Sequence, residues 1–568
     1  MSEPFGATQA GKPEDWRRLA QEAAARGDIA QARAILENGV TEFPDNAALA
    51  NSAGHFAMQA KDAAAAEGHF ARAVRLAPGS LEFATNRAVA LARLERHGEA
   101  LAQLKPFENA GVADARYCSA RAAASRAVGD LTGAQLWYDR CLALEPGHAR
   151  ALHGRARVAL ERGAVDAATR FEQALAAKRN DPEAWLGLAN ALGAAGESQR
   201  ARQIAETLVR QAPRWLDALR LLAQLRLSMG EEDFASHYAH AAQLALGDPA
   251  IPLAHADVLS GLGRHAEAAA ITRAARTRFA GNSQLALAEA IHAGAAGDDA
   301  RAEAVFASLS ESSPERFVHE ARHRIRRGEL RRADTLLDRA AERDRWNIGI
   351  WALRGIIWRL AGDRRAEWLH GTKGLMRMVA LPDAARVLDA AIPLLHRLHD
   401  GSALPLGQSL RGGTQTRGQL FARAEPQLGV LHDALMIAVE EYRSGLPPVD
   451  PAHPLLRHRG TTWSITGSWS VRLAGGGDRH TAHIHPQGIV SSALYCEIAG
   501  EFGSEDDQAG WLELGRSPPD LRVDLPPLAS FRPRPGHLAL FPSTLYHGTR
   551  PFAQGRRLTV AFDVTVAA

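Results

Sequence analysis

The sequence predicts an α + β multidomain protein, with an N-terminal α-solenoid followed by a C-terminal double-stranded β-helix (jelly-roll) barrel. Two observations predict it. Over the first two thirds of the 568 residues, small and large apolar residues recur at a fixed period. After Pro454 the pattern becomes short alternating segments separated by glycine- and proline-rich turns, the signature of strands. A chain of this length exceeds one ordinary core and divides into at least two domains.

The repeat comes first. Ala32, Ala66, Ala100, Ala134 and Ala168 are each 34 residues apart, and Leu36, Phe70, Leu104 and Tyr138 follow one helical turn later. Gly129, Gly163, Gly196, Gly230, Gly263, Gly297, Gly328 and Gly362 keep nearly the same beat, and Pro44, Pro78 and Pro146 close several units. A small residue suits the close crossing of two helices, a large one the place where the crossing opens, and glycine a turn that needs positive φ. One helix pair cannot bury its apolar face alone, so successive pairs must stack. Trp16, Leu19 and Ala32 in the first unit, and Trp185, Leu188, Ala201 and Pro213 in a later one, resemble the tetratricopeptide repeat. The resemblance covers residues 13–365 in roughly ten units. It implies a protein or peptide partner on the concave face.

Residues 366–424 form a connector. Leu388, Ile392, Leu395 and Leu398 make a helical apolar stripe, and Gly401 to Gln419 is rich in Gly, Ser, Thr and Gln. This stretch lacks the G-K-[ST] ending of a phosphate-cradling loop. Residues 425–568 are the expected barrel. Leu428, Leu431, Leu435 and Val439 mark a buttress helix ended by Gly445, Pro447 and Pro448. Strand-like runs follow, among them W-S-I-T-G-S-W-S-V-R-L, I-V-S-S-A-L-Y-C-E-I, H-L-A-L-F-P and L-T-V-A-F-D-V.

Charge excludes several classes of partner. Lys+Arg of 67 against Asp+Glu of 64 gives a net +3, so no global field draws in nucleic acid or membrane. Arg322, Arg324, Arg326, Arg327, Arg331 and Arg332 cluster, and are expected on a solvated helix-pair surface. Cys118, Cys141 and Cys496 are too scattered for a disulfide framework. The N-terminus has no apolar leader, and no stretch is long and apolar enough to span a bilayer. A soluble, cytoplasmic protein is expected, with no nucleic-acid and no membrane partner.

The chemistry concentrates near the C-terminus. His483 and His485, two apart on a strand, project from one face, and His547 on a later strand could complete a facial triad on one metal. His480 is a further neighbour, as a supporting group or an alternative ligand, and His537 is expected at the surface. On the last strand Arg557, Thr559 and Ala561 share one face, and Leu558, Val560 and Phe562 the other. An inward guanidinium needs an anion, either a bound carboxylate or an internal partner such as Asp563 or Asp520.

These motifs carry a second resemblance. S-L-R-G-G-T-Q-T from Ser409, G-S-W-S-V-R-L from Gly467, H-I-H-P-Q-G from His483, S-S-A-L-Y from Ser491, L-F-P-S from Leu540, H-G-T-R-P-F from His547 and R-L-T-V-A-F-D from Arg557 resemble the iron- and 2-oxoglutarate-dependent dioxygenases, in particular the bacterial group fused to tetratricopeptide repeats. The resemblance implies Fe(II) on His483, His485 and His547, and 2-oxoglutarate as cosubstrate held by Arg557 and Thr559, with Tyr495 as a further contact. It implies hydroxylation of a C–H bond, coupled to decarboxylation of 2-oxoglutarate to succinate. His485 stands where the wider superfamily has a carboxylate, which leaves the metal its full charge and opens the choice of metal. A cupin site would need a glutamate near Ile489 and Val490. A three-histidine zinc hydrolase is chemically sound but gives Arg557 and Thr559 no role. A scaffold with an inactive barrel is the remaining alternative.

Overall fold

A computed structural model describes residues 11–310, 312–402, 409–499 and 503–567. The N-terminal leader reading therefore falls mostly outside the described residues, as do positions 403–408 of the connector. The chain forms two compact units, residues 1–188 and 189–568.

The helical part is a tetratricopeptide-like solenoid of antiparallel helix pairs, from Pro13–Ala25 through Ile348–Leu360. Ala32, Ala66, Ala100 and Ala134 are fully buried, and Leu36, Phe70, Leu104 and Tyr138 lie in the core beside them. Burial of each large side chain stabilises the stack by about 1.5–3 kcal/mol. Close crossing is enforced sterically. A Cβ on Gly54 would come within 2.5 Å of the Phe70 ring. The register slips at the fifth alanine. The turn after Gly163 runs on through Val165 and Asp166, so the next helix begins at Ala167, which is buried while Ala168 is not.

All eight glycines of the series have positive φ, between 63° and 96°. The same left-handed position is taken by Gly27, Lys61 and Glu95 in the earlier units. Lys61 and Glu95 build the second and third of these turns without glycine, which breaks the glycine periodicity between Gly27 and Gly129.

The second unit joins the later helix pairs to a barrel. Its strands are β1 (Arg377–Ala380), β2 (Leu410–Arg411), β3 (Thr414–Gln415), β4 (Trp463–Leu473), β5 (Arg479–His480), β6 (Val490–Ala499), β7 (Leu512–Leu514), β8 (Ala529–Phe531), β9 (His537–Pro542), β10 (His547–Thr549) and β11 (Arg556–Val566). The larger sheet has the order β1-β9-β6-β11-β4-β3 and is antiparallel at every pairing. Opposite it lie β10-β7-β8 and the pair β2-β5. β1, within the stretch expected to be helical connector, is an edge strand of the barrel, paired to β9 from Arg377↔Leu540 to Ala380↔His537. The outer face of the larger sheet, including Leu558, Val560 and Phe562, packs on the helices Ala384–Asp400 and Pro426–Ser444 through Leu388, Leu395, Leu431 and Leu435.

The barrel is bonded to the last repeats of its unit. Leu521, Leu525 and Tyr546 enter the apolar cluster of Trp351, Ile357 and Trp358. Arg322 donates to Asp520 at 2.6 Å and to the Tyr546 hydroxyl at 3.0 Å. The expected solvated arginine surface is thus only half correct. Arg327, Arg331 and Arg332 are exposed, but Arg324 is buried among Glu303, Glu320 and Glu329, and Arg322 serves the barrel junction. Arg322 and Arg326 share one face of their helix, whereas Arg327 caps its C-terminus and Arg331 and Arg332 lie on the next helix, and the partners of Arg322 are 198 and 224 residues away in sequence. No helix among the described residues is long and apolar enough to cross a membrane.

Candidate metal centre

The three histidines converge by backbone pairing rather than along one regular strand. His483 is a lone antiparallel bridge to His547, each N–H donating to the other's carbonyl, at 3.0 and 2.9 Å. Such an exchange holds the two chains in a hydrogen-bonded pair with fixed side-chain directions. Gly548 makes the approach possible, since a Cβ there would sit 2.9 Å from the His480 carbonyl. His485 follows in an extended turn, outside any strand.

Each imidazole is anchored at Nδ1. His483 Nδ1–H donates to the Thr481 carbonyl at 2.8 Å, His547 Nδ1–H to the Leu545 carbonyl at 3.2 Å, and His485 Nδ1–H to Asp563 Oδ1 at 2.6 Å. Carbonyl and carboxylate oxygens only accept, so the proton lies on Nδ1 and each Nε2 keeps its lone pair. The Nε2 atoms of His483 and His485 are 3.0 Å apart, and one nitrogen from each of the three rings lies within 4.8 Å of the others. Two lone pairs at that separation repel unless a cation lies between them. Burial and the neighbouring imidazoles push His483 down to about 3, and His547 well below the usual histidine range, so these two rings are neutral. This donor set fits a divalent transition metal with three imidazole ligands.

Behind the histidines lies a lined cavity. Arg557 is 4% exposed, and its Nη1 and Nη2 donate to the Gly510 carbonyl at 2.8 Å and to Thr549 Oγ1 at 2.7 Å. Its Nε is buried without a partner, as is the Tyr495 hydroxyl, and the guanidinium carbon lies 5.6 Å from the Tyr495 ring. Among the described residues no carboxylate pairs with Arg557. Asp563 serves His485 and Asp520 serves Arg322, so both internal partners considered from sequence are engaged elsewhere. A buried guanidinium with an open donor beside three metal-competent imidazoles fits a small carboxylate ligand. Thr559 lines the same cavity, but its hydroxyl donates to the Val471 carbonyl at 3.3 Å.

His480 stands outside the triad. It stacks on His483 at 5.6 Å between ring centroids and its Nδ1 lies 3.1 Å from Ser409 Oγ. His537 is half-exposed at the start of β9, turned toward the Pro535 carbonyl. Sequence reasoning missed the role of Asp563 and the packing of Trp469 and Phe541 on His485 and His547, at 5.1 and 4.8 Å between ring centroids. The period of two carried the signal for Asp563, which follows Arg557, Thr559 and Ala561 on one face of β11.

Residues 467–563 match the family model described as "Putative 2OG-Fe(II) oxygenase", and residues 164–225 match the tetratricopeptide repeat. Protein FlbA of Caulobacter vibrioides is 29% identical over 168 residues, which is 30% of this chain and 28% of that protein. Among solved structures, a tetratricopeptide repeat protein from Parabacteroides merdae aligns at 18% identity and a TM-score of 0.35, covering 42% of this chain and 95% of that one. PilW, a type IV pilus biogenesis factor, aligns at 21% identity and 0.33, covering 36% and 96%. The chain thus joins a tetratricopeptide repeat region to a domain matched by the oxygenase family.

Proposed function

We propose that this protein is an Fe(II)- and 2-oxoglutarate-dependent dioxygenase that hydroxylates a protein or peptide recruited by its repeat array. The observation that carries the reading is three Nδ1-anchored imidazoles converging through Nε2 beside a buried arginine that lacks a carboxylate partner. Fe(II) with 2-oxoglutarate would supply the oxidising chemistry, placing one oxygen atom of O2 in succinate, with release of CO2, and the other in the substrate hydroxyl.

His483, His485 and His547 hold the metal, each ring fixed by its own Nδ1 hydrogen bond so that little reorganisation accompanies binding. Arg557 receives the far carboxylate of the cosubstrate, with Thr559 and Tyr495 beside it in the cavity wall. The open Nε of Arg557 and the free Tyr495 hydroxyl are donors in a dry site, where a charge-assisted hydrogen bond is strongest. Trp469, Val471 and Leu512 line the same cavity and exclude water. Asp563 gives back, through His485, the negative charge that a ligating carboxylate would otherwise bring. A cytoplasmic setting suits the three unbridged, buried cysteines.

Anaerobic titration of the full chain with Fe(II) and 2-oxoglutarate tests this through the visible metal-to-ligand charge-transfer band. The band is expected in the wild type, lost in His547→Ala, and seen in Arg557→Ala only at about 10–100-fold higher 2-oxoglutarate, the worth of one charged hydrogen-bonding partner. Tight zinc binding with no band at any 2-oxoglutarate concentration would replace this reading with a metal hydrolase.

A further inference from the structure

A cleft of about 420 Å³ runs within the second unit from the repeat helices to the barrel mouth. One wall is Asn190, Leu221 and Gln224 of two successive repeats, and the other is Arg417, Gln419 and Trp469 of the barrel side. Gln415 and Trp469 also border the opening that leads to His483 and His485, and Trp469 lines the inner cavity as well. Cleft, mouth and metal site are therefore neighbours that share Trp469 as a common wall.

The lining specifies an occupant. The Gln419 side chain carries both donors and acceptors, as does the backbone of an extended peptide. Arg417 is different. It is exposed to the cleft and makes no ion pair or hydrogen bond with any described residue. It passes close to Gly193, where a Cβ would lie 3.5 Å from its Nη1. Its loop is not loose. Thr416 N–H donates to the Ser470 carbonyl at 3.0 Å, Ser470 N–H returns to Thr416 Oγ1 at 2.9 Å, and Phe421 N–H donates to Ser468 Oγ at 3.1 Å. A guanidinium held on a braced loop, unpaired within a cleft, is a receptor for a carboxylate.

We propose that this cleft binds the substrate as an extended polypeptide segment carrying an acidic side chain, which Arg417 grips while a neighbouring residue passes Trp469 to the metal site. This deepens the dioxygenase reading and rests on it. Arg417 is two positions from Gln415 at the mouth, a span of about 7 Å, so the acidic residue lies within about four positions of the one that reacts.

The test uses the full chain, loaded anaerobically with Fe(II) and 2-oxoglutarate, and a degenerate dodecapeptide pool. Peptides retained by the wild type should be enriched in Asp or Glu at least about tenfold over the input, and Arg417→Glu should shift the enrichment to Lys and Arg. The same enrichment in both proteins, no enrichment in either, or preferential retention of a degenerate single-stranded oligonucleotide pool would overturn the cleft assignment. The charge-transfer band is read on the same samples. An intact band with enrichment indifferent to Arg417 removes the cleft inference alone. A missing wild-type band removes the dioxygenase reading, and the peptide enrichment then decides the cleft by itself.

Discussion

At the scale of single residues, Asp563 decides how His485 can act. The carboxylate is 8% exposed on β11, and Gly467 and Gly488 leave it room, since a Cβ on either would come within about 3.2 Å of Asp563 atoms. Its hydrogen bond fixes the His485 tautomer and ring orientation, leaving the Nε2 lone pair turned to the other two rings. Asp563→Ala is expected to lower Fe(II) affinity about 10–100-fold. Asp563→Asn should lose less, because the amide oxygen still accepts from Nδ1. Titration with Fe(II), alongside an unchanged circular-dichroism spectrum, measures this, and an affinity unaltered in both variants would remove Asp563 from the metal centre. Thr559 gives the opposite lesson: its position facing the cavity was legible from strand alternation, but the Val471 carbonyl already takes its proton.

At the scale of elements, the repeat turn is the unit of construction. Gly27, Gly129 and their successors take positive φ without steric cost, whereas Lys61 and Glu95 hold φ of 62° and 60° with a Cβ. A left-handed residue bearing a Cβ costs about 1–2 kcal/mol, and glycine's extra freedom when unfolded returns about 0.5–1 of this. Both positions are exposed, so no packing opposes the change. Lys61→Gly and Glu95→Gly should each stabilise the protein by about 0.5–1 kcal/mol, read as a higher urea midpoint. A lower midpoint would mean that the side chains make unfolded-state or surface contributions that outweigh the strain. Strand β1 shows what an element-level pattern misses. Its four residues are too few for a visible alternation, and only the pairing with β9 makes them a strand.

At the scale of the whole second unit, the barrel and the last repeats are joined through Arg322. Burial raises the Asp520 carboxyl, but the Arg322 guanidinium outweighs it and holds the group below the usual carboxylate range. A depressed carboxylate contributes stability above its unfolded pKa of about 3.9 and loses it as pH falls through the folded value. Asp520→Ala leaves Arg322 with only the Tyr546 hydroxyl. A fully buried pair broken this way loses about 3–5 kcal/mol, and the partial exposure of both side chains reduces the expectation to about 2 kcal/mol. Urea unfolding at neutral pH should show that loss, and the gap between wild type and variant should narrow on acidification below about pH 4. A constant gap across pH would show that the pair's charge does not hold the junction.

What the sequence by itself determined is local and periodic: the helix pairs, the positive-φ glycines and the two faces of β11. Each follows from spacing along the chain, because a period of 3.6, 2 or 34 residues sets which side chains share a face. Tertiary structure alone decided which of those side chains are free. It gave Asp563 to His485 and Asp520 to Arg322, leaving Arg557 with an open Nε, and it set β1 at the sheet edge. It also turned the Nδ1 of His483 and His547 onto backbone carbonyls. These outcomes depend on hydrogen-bond partners that are distant in sequence or set by backbone course, and periodicity carries no information about either.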